Sequence, residues 1–539
     1  MKGTIQSYAA IVLWYGAVLL CGCSVLTEEP KDAVPEEVVI TDAASLYTNS
    51  VGLLYNYIGS PEEFGEGLQG SYRGYYDLQT FTSDEAIIPT RGGDWYDGGL
   101  WQQLYLHTWS EDNQAVENTW NYLYKVIVLC NRSLELLDDY NRLTDTTTLR
   151  AWHAEVRALR ALYYTCLTDL FGHVPVVTAS DVPFSSIRQR RRPEVYRFCI
   201  DELRESLPYL AAERSNTETA YYGRMTRPVA WFVLMKLALN AEIWASDSTS
   251  VKGDEYRFDG EHNAWEAVMH YGELLTASGY SLAERQSDCF EVHNENCVEN
   301  IFTIPMDKSR LRTRWRNQMR SMHYQHGAAY GYAGTNGSCA TKETLRTFGY
   351  GTAEEDLRFR SAFYADTVRV NGQPLQLADG STLVYHPEVV ELDLSHSPYI
   401  ATAGARMQKY AIDPTGLFDG TLRDNDIVLF RYADVLLMMA EAEMRSGKDG
   451  SKYLNEVRRR AGMPAREATA ENILEERKLE LVWEGWRRQD MIRFGTFTRG
   501  YSDRPQLPGE GETGGFSTVF PIPLSILDMN PLLEQNEGY

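Results

Sequence analysis

A mainly α-helical body with little β structure follows from three features of this 539-residue chain. Apolar residues recur at spacings of three and four over long stretches, which is the period of an amphipathic helix. Helix punctuation sits in the right places: Gly172 and Gly447 fall just past two such stretches, and Pro228 just inside another. Between the helical stretches lie two irregular regions, about 72–113 and about 305–425, rich in Gly, Tyr, Trp and Asn. Loops of that length on a helical scaffold usually carry function.

At the N-terminus, Ala9 to Leu20 is almost purely apolar and is preceded by the single charge of Lys2. A run of about a dozen residues is short for a membrane span, which needs roughly 20, and reads as the apolar part of a secretory leader. Leu20-Cys21-Gly22-Cys23 follows it directly. A small residue before a cysteine is where bacterial lipoprotein processing cuts, so residues 1–22 are expected to be removed and Cys23 to carry the acyl chains. Several chains make a stable membrane anchor where one gives only reversible binding. Residues 23–43, acidic and proline-containing with little periodicity, are expected to be a solvated tether. A single helical domain over 44–539 follows.

Within that domain, helical periodicity covers Asn118–Asp138 and Ala151–Phe171, the second with Leu159, Leu162, Tyr163, Cys166, Leu167 and Leu170 on one stripe. Further helical stretches are Arg192–Leu210, Arg227–Ala245, Asn263–Ser278, Asp426–Ser446, Ser451–Ala461 and Ala470–Phe494.

The net charge is −23, and so acidic a surface repels phosphate backbones, which excludes nucleic acid as a partner. Eight cysteines match no zinc-ligand spacing. Cys130, Cys166 and Cys199 fall in helical patterns, as small core residues do. Cys289 and Cys297 lie eight apart in a loop-like stretch of an exported chain, compatible with a disulfide or with two thiols.

Four separated segments, in order, resemble the SusD/RagB family of surface nutrient-binding lipoproteins. They are Cys23-Ser-Val-Leu-Thr-Glu-Glu-Pro; Arg157-Ala-Leu-Arg-Ala-Leu-Tyr-Tyr with Leu170-Phe-Gly-His-Val-Pro175; Leu429-Phe-Arg-Tyr-Ala-Asp-Val435 with Ala440-Glu-Ala442; and Glu475-Glu-Arg-Lys-Leu-Glu480 through Arg487 and Asp490 to Pro521-Ile-Pro523 and Asn530-Pro531. The resemblance implies a SusD-like fold: four tetratricopeptide-like helix pairs supporting a variable, loop-rich ligand face. It also implies a lipid-anchored, surface-exposed position on the outer membrane. The implied partner is a SusC-like TonB-dependent transporter over which the lipoprotein closes.

Two stretches offer the chemistry of sugar recognition, in which flat rings cover C–H faces and short polar side chains bond hydroxyls. The first carries Asp84, Arg91, Trp95, Tyr96, Trp101, His107, Trp109 and Asn113, with glycines that let the loop turn tightly. Glycan-contacting residues of the SusD branch come from this stretch. Asp84, Arg91, Trp109 and Asn113 fall at comparable places, while His107 stands where a second aromatic platform is expected. The second stretch carries Trp315, Tyr324, Tyr330 and Tyr332 and suits the opposite wall. His323 and His326 lack a third ligand at sensible spacing, so no metal is expected, and no cofactor fingerprint is present.

Glu480 and Glu484 share a helix face and could be read as the paired acids of a glycosidase. The arginines around them argue for an ion network instead, because a general acid needs its pKa raised and a guanidinium lowers it. The expected function is therefore oligosaccharide binding without catalysis. The alternatives are a peptide-binding RagB-type lipoprotein of the same fold, a surface glycoside hydrolase, and an adhesive lipoprotein whose aromatic loops pack inward.

Overall fold

Asn113 and Asp145 begin the two longest helices by accepting N–H bonds that a first turn otherwise leaves unmade. The computed structural model describes residues 36–59, 66–70, 72–247, 251–311, 313–501, 504, 512 and 515–539. In it, Asn113 Oδ1 accepts the Ala115 N–H at 3.0 Å and opens α1 (Gln114–Asp139). Asp145 accepts those of Thr147 and Thr148 and opens α2 (Thr146–Phe171). Proline in the first turn starts α3 (Arg192–Ser206) and α4 (Arg227–Leu239). A reciprocal cap between Asn263 and Glu266 starts α5 (Ala264–Ala277). Then come α6 (Tyr432–Arg445), α7 (Ser451–Arg460), α8 (Ala470–Leu481) and α9 (Arg487–Arg493). The expected leader, Cys23 and most of the expected tether lie outside the described residues. Ile40 is already buried in the core, so the folded body reaches past the expected boundary at 44.

Successive helices are spatial neighbours: α1 packs on α2, α2 on α3, α4 on α5, α5 on α6, and α6 on α7 and α8. Stacked helical hairpins produce that neighbour-to-neighbour order. The stripe Leu159, Leu162, Tyr163, Cys166, Leu167 and Leu170 is buried throughout, within one core that runs from Ile40 to Leu533.

Four short strands tie the irregular regions to this stack: β1 (Ala86–Ile87), β2 (Asn300–Ile304), β3 (Cys339–Ala340) and β4 (Ile427–Arg431). β1 pairs antiparallel with β3, and β2 with β4 in the register Ile427–Ile304 to Arg431–Asn300. Every sheet of the described residues has two strands.

β4 corrects the expected helix over 426–446, since Ile427–Arg431, Ile-Val-Leu-Phe-Arg, is extended. A short run that is apolar up to Arg431 carries no period to distinguish strand from helix, and the β-branched and aromatic residues favour the pleated sheet here. Phe430 on β4 then stacks on Phe232 of α4, with ring centroids 4.4 Å apart. The expected helix over 470–494 is likewise interrupted at 482–486. There Trp483 (φ 67°) and Gly485 (φ 77°) take the left-handed conformation and turn α9 away from α8. The stretch 227–245 breaks at Asn240, whose side chain donates to Lys236 O and Gln489 Oε1.

Two buried ion networks clamp these elements. Arg477 of α8 bonds Asp434 of α6 at 2.7 Å and Asp490 of α9 at 2.8 Å, and Lys236 of α4 reaches Asp434 at 2.6 Å. In the second, Glu480 takes Arg431, Arg358 and Arg460, while Glu484 takes Arg431 and Lys409. Burial disfavours the Glu480 carboxylate, but Arg460, Arg431 and Arg358 outweigh it and hold the group well below the usual carboxyl range.

Candidate ligand-binding site

The two irregular regions meet because β1 pairs with β3, placing Ile87 opposite Cys339. Just beyond, Thr90 exchanges backbone bonds with Leu392 and Leu394 at 3.0 and 2.8 Å. Arg91 then sits at the hub. Its guanidinium donates to Ile400 O at 2.7 Å, Ala403 O at 3.0 Å and Gly337 O at 3.4 Å. Burial, with Arg406 close by, pushes its pKa down to about 9.

From that hub the chain makes a tight hairpin, with Arg91 and Asp94 exchanging both backbone bonds across Gly92-Gly93. Gly92, Trp95, Asp97, Gly98 and Gly99 all have positive φ, a conformation that turns residues 92–98 outward. Trp95 is half-buried: its Nε1 donates to Thr335 O at 2.8 Å, and its ring meets Trp101 edge-on at 6.0 Å. Gly337 lies flat against it, where a Cβ would stand 2.8 Å from the indole. Tyr96 stands clear of the surface, 58% exposed.

Tyr324, 45% exposed, comes from the second region and donates its hydroxyl to the Asp94 carboxylate. Burial and that carboxylate raise its phenol to about 12, so the hydroxyl stays protonated as a donor. Tyr399 is 40% exposed beside Ile400, its ring 4.1 Å from that of His386. Loop 92–98, Tyr324 and Tyr399 thus converge around Arg91, offering phenol and indole faces with a carboxylate between them. That arrangement can stack on apolar faces and bond hydroxyls.

The structure separates the expected site residues into two groups. Trp95, Tyr96, Tyr324 and Tyr330 reach or partly reach solvent. The other eight are turned inward, which corrects the expectation that they contact a ligand. Asp84 is fully paired with Arg487 at 2.6 Å and Lys478 at 3.1 Å, and these cations outweigh its burial and keep its carboxyl well below the usual range. Arg91 is the hub just described. Trp101 packs on Phe81 and donates to Asp97 at 2.7 Å. His107 contacts Glu512 and Thr82 O, each at 2.6 Å, and burial lowers its pKa. Trp109 donates to Tyr539 at 2.7 Å, and Asn113 is the α1 cap. Trp315 packs on Tyr410, and Tyr332 donates to Asp413 O at 2.9 Å.

His323 and His326 are held neutral. Burial and Arg406 push His323 to about 4, and burial with His323 pushes His326 to about 3. Among the described residues no three His, Cys, Asp or Glu are arranged to hold a metal. A groove of about 410 Å³ opens in the second region, lined by Lys342, Leu345, Arg346, Tyr350, Thr352 and Glu388. Sequence reasoning missed Tyr399 and the bonding role of Asp94. Asp94 sat inside the glycine-flanked loop and carried a signal; Tyr399 had none.

Comparison with known proteins gives consistent matches. The model of the SusD family matches residues 298–539, and one described as starch-binding, associating with outer membrane, matches 74–237. The starch-binding protein SusD of Bacteroides thetaiotaomicron is 26% identical over 518 residues, covering 89% of this chain and 88% of that one. SusD-like protein P25 of Formosa agariphila is 25% identical, covering 80% of this chain and 81% of that one. Among solved structures, a laminarin-binding SusD-like protein superposes with a TM-score of 0.68 at 19% identity, covering 92% of this chain and all of that one. Surface glycan-binding protein A from B. thetaiotaomicron in complex with laminarihexaose gives 0.69 at 20% identity, covering 93% of this chain and 100% of that one. These likenesses establish the fold.

Proposed function

This chain belongs to the SusD/RagB family, and we propose that it is a lipid-anchored, cell-surface protein that binds oligosaccharides and passes them to a SusC-like TonB-dependent transporter. The observation that carries the reading is the joining of loop 92–98 to Tyr324 through Asp94, which sets exposed rings and a polar group on one face. Starch, laminarin and surface glycans are what its relatives are named for binding, and rings with short polar neighbours suit that ligand class.

Binding without bond cleavage is supported by the acids themselves. Glu480 is saturated by three arginines and held ionised, the reverse of what a general acid needs. Peptide capture by strand addition needs a free strand edge of some length. The strands beside this face, β1 and β3, are two residues each.

Affinity electrophoresis through gels containing starch, laminarin and other polysaccharides tests the reading, with Tyr96→Ala and Tyr324→Ala as variants. Loss of one stacking ring should weaken retention by about 1–3 kcal/mol, the range seen for bases on aromatic side chains. Trp109→Phe should leave retention unchanged. Wild-type retention in both tyrosine variants on a gel that retards the parent would remove this face as the site.

A further inference from the structure

Cys289 and Cys297 are brought together by a loop that doubles back on itself. Cys289 sits in the turn Gln286–Phe290, and the chain then passes through His293 (φ 60°) and Asn296 (φ 65°). Both are left-handed, a region uncommon for side-chain-bearing residues and entered most readily by Asn, Asp and His. They are held: His293 N–H donates to Asp424 O and Asn296 N–H to Asn216 O, each at 2.8 Å. Asn294 locks the interior of the loop. Its amide donates to Cys289 O at 2.6 Å and Asp426 O at 3.0 Å, and its oxygen accepts the Asp426 N–H at 2.7 Å. Asn300 donates to Cys289 O as well, at 3.1 Å. The two sulfurs end 3.9 Å apart, Cys289 buried and Cys297 partly open to solvent.

We propose that Cys289 and Cys297 are an oxidisable pair that closes to a disulfide in the exported protein, fastening the loop that links residue 216 to the entry of β4. This rests on export of the chain and not on the ligand reading. Bond formation asks for about 2 Å of sulfur movement. The hydrogen bond between the two thiols lowers the pKa of Cys297, while burial raises that of Cys289 well above the usual range. Cys297 is therefore the thiolate that attacks first. It attacks a sulfur of an external disulfide, from an oxidoreductase or a small disulfide, and expels one thiolate. Cys289 then gives up its proton and attacks Cys297 Sγ in the mixed disulfide, expelling the second. Two protein thiols are oxidised and one external disulfide is reduced to two thiols. The remaining described cysteines do not share this setting, and burial pushes the thiols of Cys130, Cys166 and Cys199 up to about 12.

Differential alkylation of the full exported chain tests the pair. The protein is incubated with oxidised glutathione, denatured with a first alkylating reagent, reduced, treated with a second, and mapped by peptide mass. Cys289 and Cys297 should carry the second label, and Cys130, Cys166, Cys199 and Cys339 the first. In Cys297→Ser, Cys289 should carry the first label too, with polysaccharide retention unchanged. First label on both cysteines in the parent would overturn the proposal. So would Cys297 left joined to glutathione beside a free Cys289, or a Cys289 still protected in Cys297→Ser.

Discussion

Replacing Glu480 with glutamine probes the ion network on which the C-terminal half is hung. The Glu480 carboxylate accepts from Arg431 at 2.5 Å and Arg358 at 2.9 Å, and also from Arg460. Removing one partner of a buried pair costs about 3–5 kcal/mol, because a charge is left without compensation. Each arginine here keeps another acid: Arg358 has Asp356 and Glu476, Arg431 has Glu299 and Glu484, and Arg460 has Glu299. The loss should therefore fall at the lower end, about 3 kcal/mol. It is read as a lower urea midpoint at unchanged slope, followed by tryptophan fluorescence. Because the folded carboxyl titrates well below its unfolded value of about 4.3, the stabilisation is full above that pH and disappears as pH falls through the folded value. The gap between parent and Glu480→Gln should narrow on acidification below pH ~4. A difference under about 1 kcal/mol at pH 7, or a gap that does not change with pH, would refute this account of Glu480.

Two other substitutions separate stability from binding. Glu85 is buried and accepts the Trp483 N–H at 2.9 Å, and burial raises its carboxyl to about 7. With the folded value above the unfolded one, its contribution is present at low pH and lost as pH rises through about 7. Glu85→Gln should therefore gain on the parent between pH 5 and pH 8 in unfolding midpoint, and a constant difference would count against the protonated carboxyl. Gly337→Ala would set a Cβ 2.8 Å from the Trp95 indole. Overpacking of that kind costs about 1–3 kcal/mol, so the chain should stay folded while the shifted ring weakens polysaccharide retention several-fold; retention equal to the parent would show that Trp95 does not shape the face.

The helices were legible because their signal is local. α1 and α2 each repeat an apolar stripe over several turns, and Asn263 and Pro228 mark starts that depend only on neighbouring residues, whereas the caps Asn113 and Asp145 lie ahead of the expected starts at 118 and 151. β4 was not legible, since four apolar residues and an arginine joined directly to a helix have no period of their own. The break after α8 escaped for a different reason. Trp483 is turned left-handed so that its N–H meets Glu85, some 400 residues earlier in the chain. The site failed in the same way. A ring type shows that an apolar neighbour is needed, but not whether a ligand or Tyr539 supplies it, as with Trp109. Asp84 reads as a sugar-bonding acid until Arg487 arrives from the C-terminal helices.

How irregular loops can hold rings in fixed positions is answered by three buried arginines that have no carboxylate hydrogen-bond partner among the described residues. Arg91 donates to Ile400 O, Ala403 O and Gly337 O; Arg406 to Ser321 O, Ala401 O and Gly404 O; Arg423 to Gly420 O and the Gln318 amide oxygen. Loop backbone lacks the ladder that satisfies carbonyls in helices and sheets, and a buried carbonyl left bare is costly. A guanidinium carries five donors in a fixed fork, so one side chain can satisfy several carbonyls from separate strands of loop at once. Arg91 joins the 337 and 400–403 segments, the second of which follows Tyr399, and Arg406 joins 321, three residues before Tyr324, to 401. The exposed rings therefore stand on cross-braced ground, and less ordering remains to be done when a ligand arrives. The charge balance then makes sense as well: an acidic exterior coexists with arginines spent inside, where they do for the loops what backbone pairing does for the helices.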